Sequence, residues 1–133
     1  MKLLNLFISF LFLSVLTYSC SNSDNNQPEE EPLKNVTYNV LFWEFTPDTG
    51  NNTFRLHYEI EFHNPNDVTI NGFYRITQNA DGLETTLLSS NKSPCYTIEA
   101  NSSCTFSFDE EDSFDIARIN SIKLISVEYN LEE

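Results

Sequence analysis

Two histidines, one dense run of carboxylates and a single tryptophan among many tyrosines are the residues of this chain whose types could do chemistry. His57 and His63 are six positions apart, which on an extended strand is roughly 20 Å, so the pair cannot hold one ion. His57 and Glu59 lie closer, two positions apart, and with an acid from a neighbouring strand they could form a metal site. The same His57 with Glu59 could serve a small hydrolase, yet Gly-x-Ser-x-Gly is absent and no catalytic residues are assigned. Asp109-Glu110-Glu111-Asp112-Ser113-Phe114-Asp115 places five carboxylates in seven positions. Oxygen ligands at this density suit Ca²⁺, but the spacing is not that of an EF-hand, and the expectation is a charged, solvated connection between two strands. Trp43 with Tyr38, Tyr58, Tyr74 and Tyr96 could stack sugars if exposed, although aromatics at a spacing of two usually form core. No cofactor is expected.

The elements that must position these residues read as strands. Thr53 to Asn64 alternates: Phe54, Leu56, Tyr58, Ile60 and Phe62 point one way, and Arg55, His57, Glu59, Glu61 and His63 the other, as in a half-buried antiparallel strand. Val36, Tyr38, Val40 and Phe42 set a similar period, with Leu41, Trp43 and Phe45 opposite, so this strand is covered on both sides or shifts register at a bulge. Further strands are expected at Val68–Thr77, Leu83–Leu88, Cys95–Glu99, Cys104–Phe108 and Ile122–Leu131. Turn residues separate them at Pro47 to Asn52, Asn64 to Asp67 and Asn79 to Gly82. Phe114 to Ile119 could make one helical turn. Seven short strands predict an all-β, immunoglobulin-like antiparallel β-sandwich over residues 33–133.

The chain opens differently. Met1 and Lys2 precede an apolar run from Leu3 to Leu16, which as a helix would rise about 21 Å against a hydrocarbon core of roughly 30 Å. One basic residue, a short apolar stretch and then small residues are the order of a secretory signal, assigned to residues 1–19. The run ends in Leu16-Thr17-Tyr18-Ser19-Cys20, which resembles the lipobox of bacterial lipoproteins, with Tyr18 where the strict motif has a smaller residue. The resemblance implies cleavage before Cys20 and a lipid on its thiol, and Ser21 after the cysteine, rather than Asp, resembles the pattern passed on to the outer membrane, at the cell surface or on the periplasmic face. Residues 20–32 then form a tether, since Ser21 to Pro32 offers no apolar side chain and four acids and cannot bury enough surface to fold.

With Cys20 lipidated, Cys95 and Cys104 remain as an even pair in an oxidising compartment, and a disulfide between them is expected. A hairpin with a two- or four-residue loop around Glu99 and Ala100 would set them opposite each other. Two buried reduced thiols are the alternative. A redox-active pair is disfavoured, because neither a Cys-x-x-Cys spacing nor a helix N-terminus is at hand to lower a thiol pKa.

With 7 Lys+Arg against 20 Asp+Glu, the 133 residues carry a formal charge of −13. That balance opposes any grip on phosphate backbones, so nucleic acid is excluded as a partner. Tyr58 to Asn66, Ile70 to Ile76 and Asp81-Gly82 together resemble the strand, Asn-Pro-Asn, strand, Asp-Gly layout of small bacterial FxLYD-type and WHy-type sandwich domains, though the FxLYD motif itself is missing. The resemblance implies a binding or structural module without an active site. The expected function is a non-catalytic, lipid-anchored module with a protein or glycan partner. The alternative is a carbohydrate-binding accessory lipoprotein, assisted by calcium, using Trp43 and the acidic run 109–115.

Overall fold

The computed structural model describes residues 31–114 and 118–132, and every structural statement below concerns these residues. The leader, Cys20, nearly all of the tether and Asp115 lie outside them. Seven strands are present: β1 Thr37–Thr46, β2 Thr53–His63, β3 Ile70–Ala80, β4 Leu83–Leu88, β5 Thr97–Ile98, β6 Ser103–Ser113 and β7 Ile122–Leu131. None of the described residues forms a helix long and apolar enough to cross a membrane.

The strands make two antiparallel sheets. One has the order β1-β2-β6. The other centres on β3, which pairs with β7 along Gly72–Ala80, with β4 along Arg75–Ala80 and with β5 at Ile70 and Asn71. With β1, β2 and β6 in one sheet and β3, β4, β5 and β7 in the other, the seven strands form an all-β antiparallel sandwich, as expected. The alternation expected for β2 is present: Leu56, Tyr58, Ile60 and Phe62 are buried and face the second sheet. They meet Ile70, Tyr74 and Ile76 of β3, with Ile98, Phe106, Ile122 and Val127 completing the core. Phe62 stacks on Tyr74 at 5.2 Å between ring centroids, and Tyr74 reaches Phe106 at 4.9 Å, so aromatic rings join the sheets. Burying each such large side chain stabilises the fold by about 1.5–3 kcal/mol.

In β1 the register slips between Val40 and Phe42. The extra residue, Leu41, turns the strand, so that Val40, Trp43 and Phe45 all pack on the core while Phe42 lies outside against His57. Asp81 and Gly82 join β3 to β4 with φ of 48° and 98°, the two positive values that a type I′ hairpin turn requires. Gly72 is required for a different reason. A Cβ there would come within 2.4 Å of Tyr129 Cε1 and 2.5 Å of the Asn130 carbonyl oxygen.

The Asn64-Pro65-Asn66 turn is a clamp. Buried Asn64 donates from Nδ2 to the carbonyls of Val68, Ile98 and Glu99 and accepts at Oδ1 from the Asn66 backbone and side-chain amides. Asn66 Oδ1 in turn accepts from the Lys34 amide at 2.7 Å, and its Nδ2 donates to the Lys34 carbonyl at 3.0 Å. The chain therefore enters the sandwich at the pole where β2 ends and β3 begins.

Candidate functional site

The acidic run is the main difference from expectation. Asp109 to Ser113 is no connection: it is the second half of β6, paired with Thr53 to His57 of β2. Strand alternation splits the acids between two faces. Asp109 and Glu111 point outward, where the Arg55 guanidinium meets Asp109 through two bonds of 2.6 Å. Glu111 accepts from the hydroxyls of Thr53 and Thr49. These donors hold both carboxyls below their ordinary range, Arg55 acting on Asp109 and Thr53, then Thr49, on Glu111. Glu110 and Asp112 share the inward face with Phe106 and Phe108, and among the described residues neither has a hydrogen-bond or ion-pair partner. Carboxylates divided in this way form no single oxygen cage, and no three His, Cys, Asp or Glu side chains among the described residues converge on one point.

His57 stands directly across from Asp109, so the cross-strand acid anticipated from the sequence exists, but it is already engaged by Arg55. Glu59 faces Ser107, and the His57 ring lies 4.7 Å from that of Phe42. His63 is at the far end of β2, with Nδ1 3.2 Å from the Ser103 hydroxyl. Trp43 is stacked on Tyr58 at 4.5 Å, Tyr58 stacks on Phe108 at 5.0 Å, and the indole N–H donates to the Ile122 carbonyl. These rings form a ladder on the inner face of the first sheet, and Tyr58 and Tyr74 are buried. Desolvation raises the Tyr58 phenol well above its usual 10, with the charges of Tyr74 and Glu110 adding to the effect.

Cys95 and Cys104 sit with sulfurs 2.01 Å apart, as the pairing arithmetic required. The expected hairpin between them is absent, because Thr97–Ile98 pairs with β3 and not with β6. The bridge thus ties the edge of one sheet to the first turn of β6 in the other. The backbone beside it is held by Tyr129, whose hydroxyl donates to the carbonyls of Cys95 and Tyr96.

Beyond the bridge the two sheets part. β4 and β6 are edge strands on the same side of the sandwich, and between them opens a cleft of about 260 Å³. Its floor is Phe54, Leu56, Phe108 and Ile122, its far wall Gln78, Ala80, Leu83 and Thr85, and its rim Glu110 and Asp112. Leu83 is 68% exposed although the β3 register turns it toward the interior, because β6 does not reach across to cover it. Among the described residues the lining contains no histidine, cysteine or serine. What the arrangement can do is seat an apolar group beside two unpartnered negative charges. No sequence signal marks this place: it depends on which strands become edges. No family model, curated protein or solved structure matches the chain.

Proposed function

We propose that the chain is a non-catalytic, lipid-anchored binding module of the outer membrane that takes its ligand in the cleft between β4 and β6. In this reading the leader 1–19 is removed, Cys20 carries the lipid and residues 20–32 space the sandwich from the bilayer. The lipobox-like Leu16 to Cys20 supports the anchor. The observation that carries the binding role is the cleft itself, where the exposed Leu83 and the half-buried Phe54 and Phe108 meet Glu110 and Asp112. The resemblance to FxLYD-type and WHy-type domains agrees with a sandwich that binds without catalysing.

Two measurements test the halves separately. A palmitate analogue fed to cells should label the wild-type chain and spare Cys20→Ala, and equal labelling of both would remove the anchor. Nile red, a neutral apolar dye, should brighten on the mature chain, and Thr85→Trp, which fills the cleft from an exposed position, should abolish the signal. Undiminished dye binding by that variant would place the apolar site elsewhere.

A further inference from the structure

We propose that the occupant of the cleft is an extended segment of a basic partner protein, which adds as a fourth strand to the open edge of β6. This rests on the binding role proposed for the cleft and names its ligand. Three features converge. First, among the described residues β6 pairs with β2 alone and β4 with β3 alone, so the edge of β6 along Ser107–Asp112 and the edge of β4 flank the cleft without a ladder partner. In the four-stranded sheet of an immunoglobulin constant-type domain, ordered A-B-E-D, a further strand lies beside the strand at the third position, the place that β6 holds in β1-β2-β6. Here the chain between β4 and β6 turns aside, pairing Thr97–Ile98 with β3, and the inner faces of Phe54 and Phe108 are left open. Adding a strand to such an edge is a recurring mode of peptide recognition, in which main-chain bonds give affinity and alternate side chains give specificity.

Second, about 260 Å³ falls below the roughly 300–1,000 Å³ of pockets that enclose a drug-sized molecule. It suits a few side chains entering in alternation. Third, the charge pattern along β6 sets the order of those side chains. A strand antiparallel to β6 meets Asp112 and Glu110 first and then Phe108. Its inward positions are therefore cationic, cationic, apolar, apolar, reading from its N-terminus. The chain's own tether is excluded by the same pattern, since Ser21 to Pro32 carries four acids and no base. A second copy is disfavoured by mutual repulsion at a net charge of −13 each.

The test uses the full mature chain and the synthetic peptide acetyl-Lys-Thr-Lys-Thr-Val-Thr-Val-Thr-amide. Saturable binding should shift the amide resonances of Ser107 to Asp112 and leave those of β1 unmoved. A peptide with Glu in place of both Lys should bind about tenfold more weakly at low salt, from two partly exposed ion pairs. That difference should vanish in Glu110→Gln/Asp112→Asn, whose exposed side chains carry no folding role. N-methylation of the peptide amides facing β6 should reduce binding by at least about tenfold, because a strand edge is read through main-chain bonds. Equal affinity for the lysine and glutamate peptides, or tolerance of N-methylation, overturns the proposal. Uptake of Nile red without peptide binding also overturns it while sparing the apolar site, and absence of both removes the site as well. Self-association blocked by Thr85→Trp would assign the edge to a second copy and refute the basic partner.

Discussion

Removing the Cys95–Cys104 bridge is the sharpest test of how the sandwich is held. The cysteines are nine positions apart. Closing a loop of about ten residues costs the unfolded chain about 9 cal/mol/K, or about 2.7 kcal/mol at 25 °C, in the chain-entropy model. The folded state should barely register the loss. Tyr129 still holds the carbonyls of residues 95 and 96, and the Gly72 amide still donates to the Tyr96 carbonyl. Alanine at 95 would adopt the same left-handed φ of 60° as the cysteine, so the backbone strain is common to both chains. Urea titration of Cys95→Ala/Cys104→Ala, followed by the fluorescence of Trp43 in its stack on Tyr58, should show the midpoint falling by about 2 M if the urea slope is near 1.3 kcal/mol/M. Wild-type protein in reductant should follow the variant. A loss below about 1 kcal/mol in both, with an unchanged slope, would mean that the contacts around Tyr129 restrict the unfolded ensemble already and that the loop-closure reasoning fails here.

Gly72→Ala should destabilise by about 1–3 kcal/mol, since one of the two close contacts is backbone and cannot rotate away. Thermal unfolding should show a lower midpoint, and an unchanged Tm would contradict the packing of Tyr129 over that glycine. Asp81 accepts hydrogen bonds from the amides and side chains of Asn120 and Ser121, led by the Asn120 amide, and its carboxyl is held below its ordinary 3.8. A depressed carboxyl adds stability that is complete above its unfolded pKa and is lost as pH falls through the folded one. The stability gap between wild type and Asp81→Ala should therefore be full at pH 6 and shrink below about pH 4. A carboxyl carbon resonance for Asp81 that titrates above 4 would reverse that sign.

The parts of the fold visible in the sequence were those governed by local rules. β2 declared itself because its inward residues are uniformly large and its outward ones uniformly polar, β4 because Asn79 to Gly82 turns the chain where it begins, and β7 because Ile122 to Leu131 is rich in residues that favour strands. Asp81-Gly82 was legible as a turn because few other residues tolerate positive φ in succession. The second half of β6 was misread since four consecutive acids resemble a solvated loop. Arg55 and Thr53 across the ladder, with Thr49 from the turn before β2, engage Asp109 and Glu111 and offset part of the repulsion along that stretch. β5 was overextended because its partner is β3, some 26 residues earlier in the chain, and nothing local stops a pairing with β6. The disulfide was anticipated by parity of cysteines while its geometry was not, for the same reason. The cleft was invisible altogether, because an edge is a property of the assembled sheets.

The Lys34 clamp fixes the polarity of the whole domain. The chain enters where Asn66 binds the Lys34 backbone, whereas the cleft lies at the opposite pole, by Leu56 and Asp112. The eight residues of β2 and its turn that separate Leu56 from Asn64 span about 27 Å. The backbone grip on Lys34 and the open recess therefore occupy opposite ends of the same strand, so a change at one end leaves the other untouched.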